Sequence, residues 1–276
     1  MGTLAIVSRK GGSGKSTLAT NLASYLARRD DSVTLGDLDH QQSMRVWLSR
    51  RPSAAPRIVG WVGDSGGLAR PLIGTQHLIL DTPGGLHGLG LAKVVMAVDA
   101  IVLPVAGSVF DRESASDCWN ELRTHPKVVS GRCRVAALGM RLDGRTGAGV
   151  VTEDWAASVG LPYIGALRAA QVYVRAVENG IGIFDMPETV TQVDRSQWLP
   201  ILKWVEPVFG PSLNASAPAD RAQAAAKVVP LRPLTAAAAT PPAAVAACSA
   251  NLAGDSGTGS GPRWSRWLPG FLTRRR

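Results

Sequence analysis

Cysteine is scarce in this chain and badly placed for any framework. The three residues, Cys118, Cys133 and Cys248, form neither a C-x-x-C pair nor a cysteine/histidine metal spacing. That argues against a disulfide scaffold or a zinc site and implies reduced thiols in a cytoplasmic protein. Long apolar runs are also missing. Val94 to Phe110 comes nearest, but Asp99 and Pro104 interrupt it, so it divides into a helix end and a buried strand. Only a handful of apolar residues precede Arg9 and Lys10, too few for the core of a secretion signal. Acidic residues fall short as well, with 21 Asp and Glu against 30 Lys and Arg, a formal charge of +9. Such a balance favours a polyanionic partner, nucleic acid or an anionic membrane.

The 276 residues, 45% of them hydrophobic, suffice for one sizeable α/β core with additional material. What organises them is Arg9-Lys10-Gly11-Gly12-Ser13-Gly14-Lys15-Ser16-Thr17, placed between the apolar run Leu4 to Val7 and the helical pattern that begins at Leu18. Strand, glycine loop and helix in that order form a phosphate cradle. Backbone N–H groups at a helix N-terminus receive the anion, Lys15 reaches the outer phosphates, and the Ser16 hydroxyl holds Mg²⁺. Gly11, Gly12, Ser13, Gly14, Lys15, Ser16 and Thr17 are therefore the nucleotide-binding candidates.

The loop departs from G-x-x-x-x-G-K-[ST], because Arg9 replaces the first glycine and Lys10 is an additional cation. In this form it resembles the deviant Walker A motif of the ParA/MinD family of positioning ATPases. The resemblance implies a P-loop fold with a mostly parallel twisted sheet and helices on both faces. It also implies ATP and Mg²⁺ as ligands, and a homodimer in which Lys10 reaches the partner's nucleotide. Asp37-Leu38-Asp39-His40-Gln41-Gln42-Ser43 is similar to the family's second motif. Carried over, Asp39 positions the attacking water and Asp37 supports the metal region, with His40 where the family has proline. His77 to Gly85 reads as a buried strand, an acid and a glycine turn, similar to Walker B and its switch. Asp81 would hold Mg²⁺ through water, while Gly84 and Gly85 let the backbone move. The catalytic set is thus Lys10, Lys15 and Asp39, and the metal set Ser16, Asp37 and Asp81. Met140 occupies the place of an adenine-recognising asparagine before Arg141, so that contact does not carry over.

Periodicity places helices over Ser16–Arg29, Met44–Arg51, Val109–Thr124, Gly149–Val159, Arg168–Asn179 and Trp198–Val208. Strands are expected at Ser32–Gly36, Arg57–Val62, Ala100–Val105, Arg134–Leu142 and Pro162–Leu167. Gly63 to Gln76 is too glycine-rich to place. Arg141, Arg145, Arg168 and Arg175 recur in the later half as candidate contacts to DNA phosphates, or as scattered solvated cations.

The ATPase domain is expected over 1–210, a small form without an N-terminal DNA-reading domain. Residues 211–262, dominated by Ala, Pro, Gly and Ser, have the composition of a disordered linker. In 263–276, Trp264, Trp267, Leu268, Phe271 and Leu272 follow amphipathic-helix spacing among arginines, although Pro269-Gly270 interrupts it. This pattern suits a lipid headgroup region or a protein groove, and its placement resembles the membrane-targeting tail of the MinD branch. Three functions stand at this point. One is an ATP-dependent switch that binds nonspecific DNA, is stimulated by an adaptor protein and partitions a plasmid, chromosome region or protein assembly on the nucleoid. The second is the same switch on a membrane, and the third a metabolic ligase or iron–sulfur reductase, for which the cysteines lack cluster contexts.

Overall fold

A computed structural model describes residues 1–210 except Asp30, His40 and 64–73. The linker, the tail and most of the glycine-rich stretch before His77 lie outside the described residues.

The chain alternates strand and helix: β1 (Gly2–Ser8), α1 (Lys15–Arg28), β2 (Val33–Asp37), α2 (Ser43–Arg50), β3 (Val59–Val62), β4 (His77–Gly84), α3 (Gly88–Ala97), β5 (Ala100–Val105), α4 (Val109–Leu122), α5 (Pro126–Val129), β6 (Arg134–Leu142), α6 (Ala148–Ser158), β7 (Tyr163–Arg168), α7 (Gln171–Glu178), a 3₁₀ turn (Ile183–Asp185) and α8 (Glu188–Phe209). The strands form one sheet in the order β3-β2-β4-β1-β5-β6-β7. Every pairing is parallel. The order reverses direction beside β1, and in open α/β sheets such a reversal places ligands at the carboxyl ends of the strands.

The strands read as continuous apolar runs because both faces are covered. Leu4 and Ile6 join Ile79 and Val102 beneath α1, α2, α7 and α8, whose contributions include Leu22, Trp47, Tyr173 and Trp198. Ala5 and Val7 face the other way, with Leu80 and Ile101, onto α3, α4 and α6 through Leu91, Val95, Leu122 and Ala156. Cys118 and Cys133 belong to this second layer as buried free thiols. Burial pushes them up to about 12 and about 11, so both stay protonated and inert at neutral pH.

Two of the expected helices begin well away from their expected starts. The helix expected from Arg168 begins at Gln171, since Arg168 ends β7 and both its Nε and Nη2 donate to Asp194. The last helix starts at Glu188, ten residues before Trp198, because its first half buries the polar Thr191 and Asp194, which carry no apolar period. Leu199 is exposed, and Trp198, Ile201, Val205 and Phe209 make the buried stripe. Among the described residues no helix is long and apolar enough to cross a membrane.

At the sheet's amino edge, the His77 ring meets Phe209 edge-on at 5.0 Å and Arg29 Nη2 donates to the Gly210 carbonyl. The end of α8 therefore sits beside the starts of β1 and β4.

Candidate functional site

The loop lies at the opposite, carboxyl edge. Gly14 caps α1 at φ 96°, a left-handed conformation that favours glycine, and a Cβ there would lie 2.6 Å from Met140 Cε. Lys15, the first residue of α1, is buried at 7% exposure, whereas Gly11 and Gly12 are exposed. The first N–H groups of α1 have no carbonyl within the helix to bond, which leaves them available to an anion. Thr17 lies in that turn, where its carbonyl accepts from Thr20 and Asn21.

Ser16 Oγ donates to Asp81 Oδ2 at 2.7 Å, joining the loop to β4. The buried Asp81 Oδ1 and Ser13 Oγ have no protein partner. An orphaned carboxylate oxygen beside the serine hydroxyl fits a hydrated Mg²⁺, and an orphaned hydroxyl in the loop fits a phosphate oxygen. Burial, with added repulsion from Asp37 and Asp39, raises Asp81 to about 6 despite the Ser16 bond and the charge of Lys15. A folded-state value above the unfolded 3.8 stabilises the fold below pH 3.8, and that contribution is lost as pH rises through about 6. Asp81→Asn should therefore stabilise the nucleotide-free chain at pH 7.5 by on the order of 1–3 kcal/mol. The same substitution should weaken Mg²⁺-dependent ATP binding by about tenfold or more, the loss expected when a group that orients a metal's ligands is removed. Thermal melts with and without Mg·ATP read both effects.

Asp37 is buried with both oxygens occupied, Oδ1 by Asp39 N–H and Oδ2 by Met44 N–H, each at 3.0 Å. Burial raises its pKa while those two backbone donors oppose the rise. It thus fixes the loop before α2. Asp39 is half-buried, and its Oδ1 accepts from Gln41 N–H. His40, the residue after it, lies outside the described residues.

β4 runs to Gly84, three residues beyond Asp81, where the sequence suggested a turn. A Cβ on Gly84 would sit 3.5 Å from Gly11 N, so the end of the switch strand lies close beside the phosphate loop. Thr82 Oγ1 also donates to the Ile6 carbonyl, locking β4 onto β1 just below that contact.

Arg9 and Lys10 reach in opposite directions along α4. Arg9 pairs with Glu121 near its carboxyl end, and Glu121 Oε1 also accepts from Gly88 N–H at the start of α3. Lys10 Nζ lies 2.5 Å from Asp111 Oδ1 at its amino end. Sequence reasoning missed both acids as partners of the loop. The Ser108-x-x-Asp111 spacing signals the capping box that is present, which points to Asp111 but not to Lys10.

All four candidate arginines are exposed. Arg145 pairs with Asp143, Arg168 with Asp194, and Arg141, at φ 55°, donates to the Gly12 carbonyl. Arg175 lies in the second turn of α7.

The CobQ/CobB/MinD/ParA nucleotide binding domain matches residues 4–212. Maintenance of carboxysome distribution protein A from Gloeobacter kilaueensis is 30% identical over 191 residues, covering 65% of this chain and 82% of the relative. The chromosome-partitioning ATPase Soj from Thermus thermophilus is 27% identical over 176 residues, 52% of this chain and 70% of Soj. Among solved structures, the ATP complex of a Cyanothece McdA variant superposes with a TM-score of 0.57 at 16% identity, over 77% of this chain and 97% of that one, a likeness of fold. The chain belongs to the CobQ/CobB/MinD/ParA nucleotide-binding family.

Proposed function

We propose that this protein is an ATP-driven positioning switch. ATP and Mg²⁺ close two copies face to face, the pair holds nonspecific DNA, and an adaptor protein triggers hydrolysis and release, so that a cargo is distributed over the nucleoid of the cytoplasm. The observation that carries this reading is the contrast between the two lysines. Lys15 is buried within its own phosphate loop, whereas Lys10, at the exit of β1, is exposed and aimed at the amino end of α4. This contrast supports a division in which Lys15 serves the chain's own nucleotide and Lys10 a second copy's.

Bound Mg²⁺ supplies charge neutralisation across the phosphates. The residues do the rest. Lys15 and the α1 N-terminus bind the anion, Ser16 and Asp81 fix the metal's position, and Asp39 orients water. The closeness of Gly84 to Gly11 lets occupancy of the loop be felt in β4. The relatives' names, maintenance of carboxysome distribution and chromosome partitioning, support a large assembly or a DNA molecule as cargo.

DNA binding is tested by salt dependence. Alanine at both Arg145 and Arg175 should flatten the plot of log affinity against log salt, measured with ATP and a random duplex, by about 1 per arginine lost from the interface. If substitution of Arg141, Arg145, Arg168 and Arg175 together leaves the slope unchanged, this face does not contact phosphates. The Trp/Arg pattern of 263–276 favours a second reading, the same switch on an anionic membrane. Loss of vesicle binding on deletion of 263–276, with DNA binding intact, would select it.

A further inference from the structure

Lys10 is tethered twice, and the two tethers are independent. Its backbone is fixed at the exit of β1: its N–H donates to Ser8 Oγ, and its carbonyl accepts from that hydroxyl. Its side chain, 46% exposed, reaches Asp111, whose own side chain is only 16% exposed. The ammonium can therefore swing without moving the loop.

Asp111 cannot follow it. Asp111 Oδ2 accepts from the Ser108 hydroxyl at 2.6 Å and from Ser108 N–H at 3.2 Å, closing the capping box of α4. Oδ1 is left facing Lys10. The helix cap thus holds a carboxylate in one orientation, at the place where a lysine meant for another subunit emerges. At the far end of α4, the Arg9–Glu121 pair anchors the loop to the same helix. Release of Lys10 leaves that anchor intact.

We propose that Asp111 is a positioning residue that holds Lys10 on its own chain and competes with the second copy's nucleotide for it. The inference rests on the ATP-dependent pairing proposed above. Both copies must break one such contact to pair, so the hold raises the protein concentration at which the dimer forms. A partly exposed ion pair is weak enough to release and still biases the equilibrium, because it is counted twice.

The test has two readouts on the full chain. The first is acetylation of Lys10 by acetic anhydride without nucleotide, quantified by mass spectrometry against the exposed Lys203. Asp111→Asn, which keeps an acceptor for Ser108, should raise the Lys10 rate several-fold, and Asp111→Glu should return it toward wild type. The second is the concentration for half-dimerisation with Mg²⁺ and a non-hydrolysable ATP analogue. Asp111→Asn should lower it by between about two- and thirtyfold for two pairs lost. An unchanged Lys10 rate overturns the hold, and a raised rate with unchanged or weaker dimerisation overturns the competition. A wild-type chain that never dimerises with the analogue overturns the pairing itself, whatever the Lys10 rate.

Discussion

Lys10→Ala is expected to abolish ATP turnover and nucleotide-dependent dimerisation while ATP still binds the single chain. A cation supplied in trans to the transferring phosphoryl group accelerates hydrolysis by about 10³-fold or more, so residual turnover should fall to background. Binding survives because the groups around the chain's own phosphates, Lys15, Ser16, Asp81 and the α1 N-terminus, are untouched. Lys10 points away from them to Asp111. Lys15→Ala should do the reverse and remove binding itself, since that buried ammonium is the cation of its own loop. Fluorescent ATP-analogue binding, phosphate release and light scattering on both variants separate the two roles. Loss of ATP binding in Lys10→Ala would place Lys10 in its own site and end the two-copy reading.

The second large effect concerns stability at a place remote from nucleotide. Asp185→Ala should destabilise the fold by about 3–5 kcal/mol. The carboxylate is 1% exposed and accepts from Arg51 Nη1 at 2.9 Å, Arg28 Nε at 3.0 Å and Gly182 N–H at 3.0 Å. It therefore ties α1, the end of α2 and the turn before α8 to one point. Removing it leaves the Arg51 guanidinium, 6% exposed, buried without its counter-charge. A melting temperature lower by roughly 6–20 °C is expected for a domain of this size. Burial alone would raise the Asp185 pKa, but the Arg51 hydrogen bond, helped by Gly182 N–H and Arg28, holds it below the usual carboxylate range. A depressed folded-state value gives stability that is present above the unfolded pKa and lost as pH falls through the folded one. The variant's deficit should thus shrink toward acid.

The sequence made the nucleotide edge legible because each part of it is local. A glycine loop between strand and helix, an acid closing β2 and another inside the apolar run of β4, are written in consecutive residues. The sheet was legible for the same reason, since buried parallel strands such as Ala100–Val105 are continuous apolar runs. What could not be read was long-range polar pairing. Glu121 meets Arg9 across 112 positions, and Asp185 meets Arg51 across 134. Nothing in the spacing of a charged residue says which distant charge will neutralise it. The first half of α8 escaped for a related reason, as it is buried through Thr191 and Asp194, and Asp194 serves Arg168.

The meeting of α8's end with the starts of β1 and β4 has a practical side. A fluorophore or affinity handle joined at Met1 would stand next to Phe209 and Gly210, across the full depth of the sheet from the phosphate loop. A reporter at Met1 would stand clear of the phosphate loop.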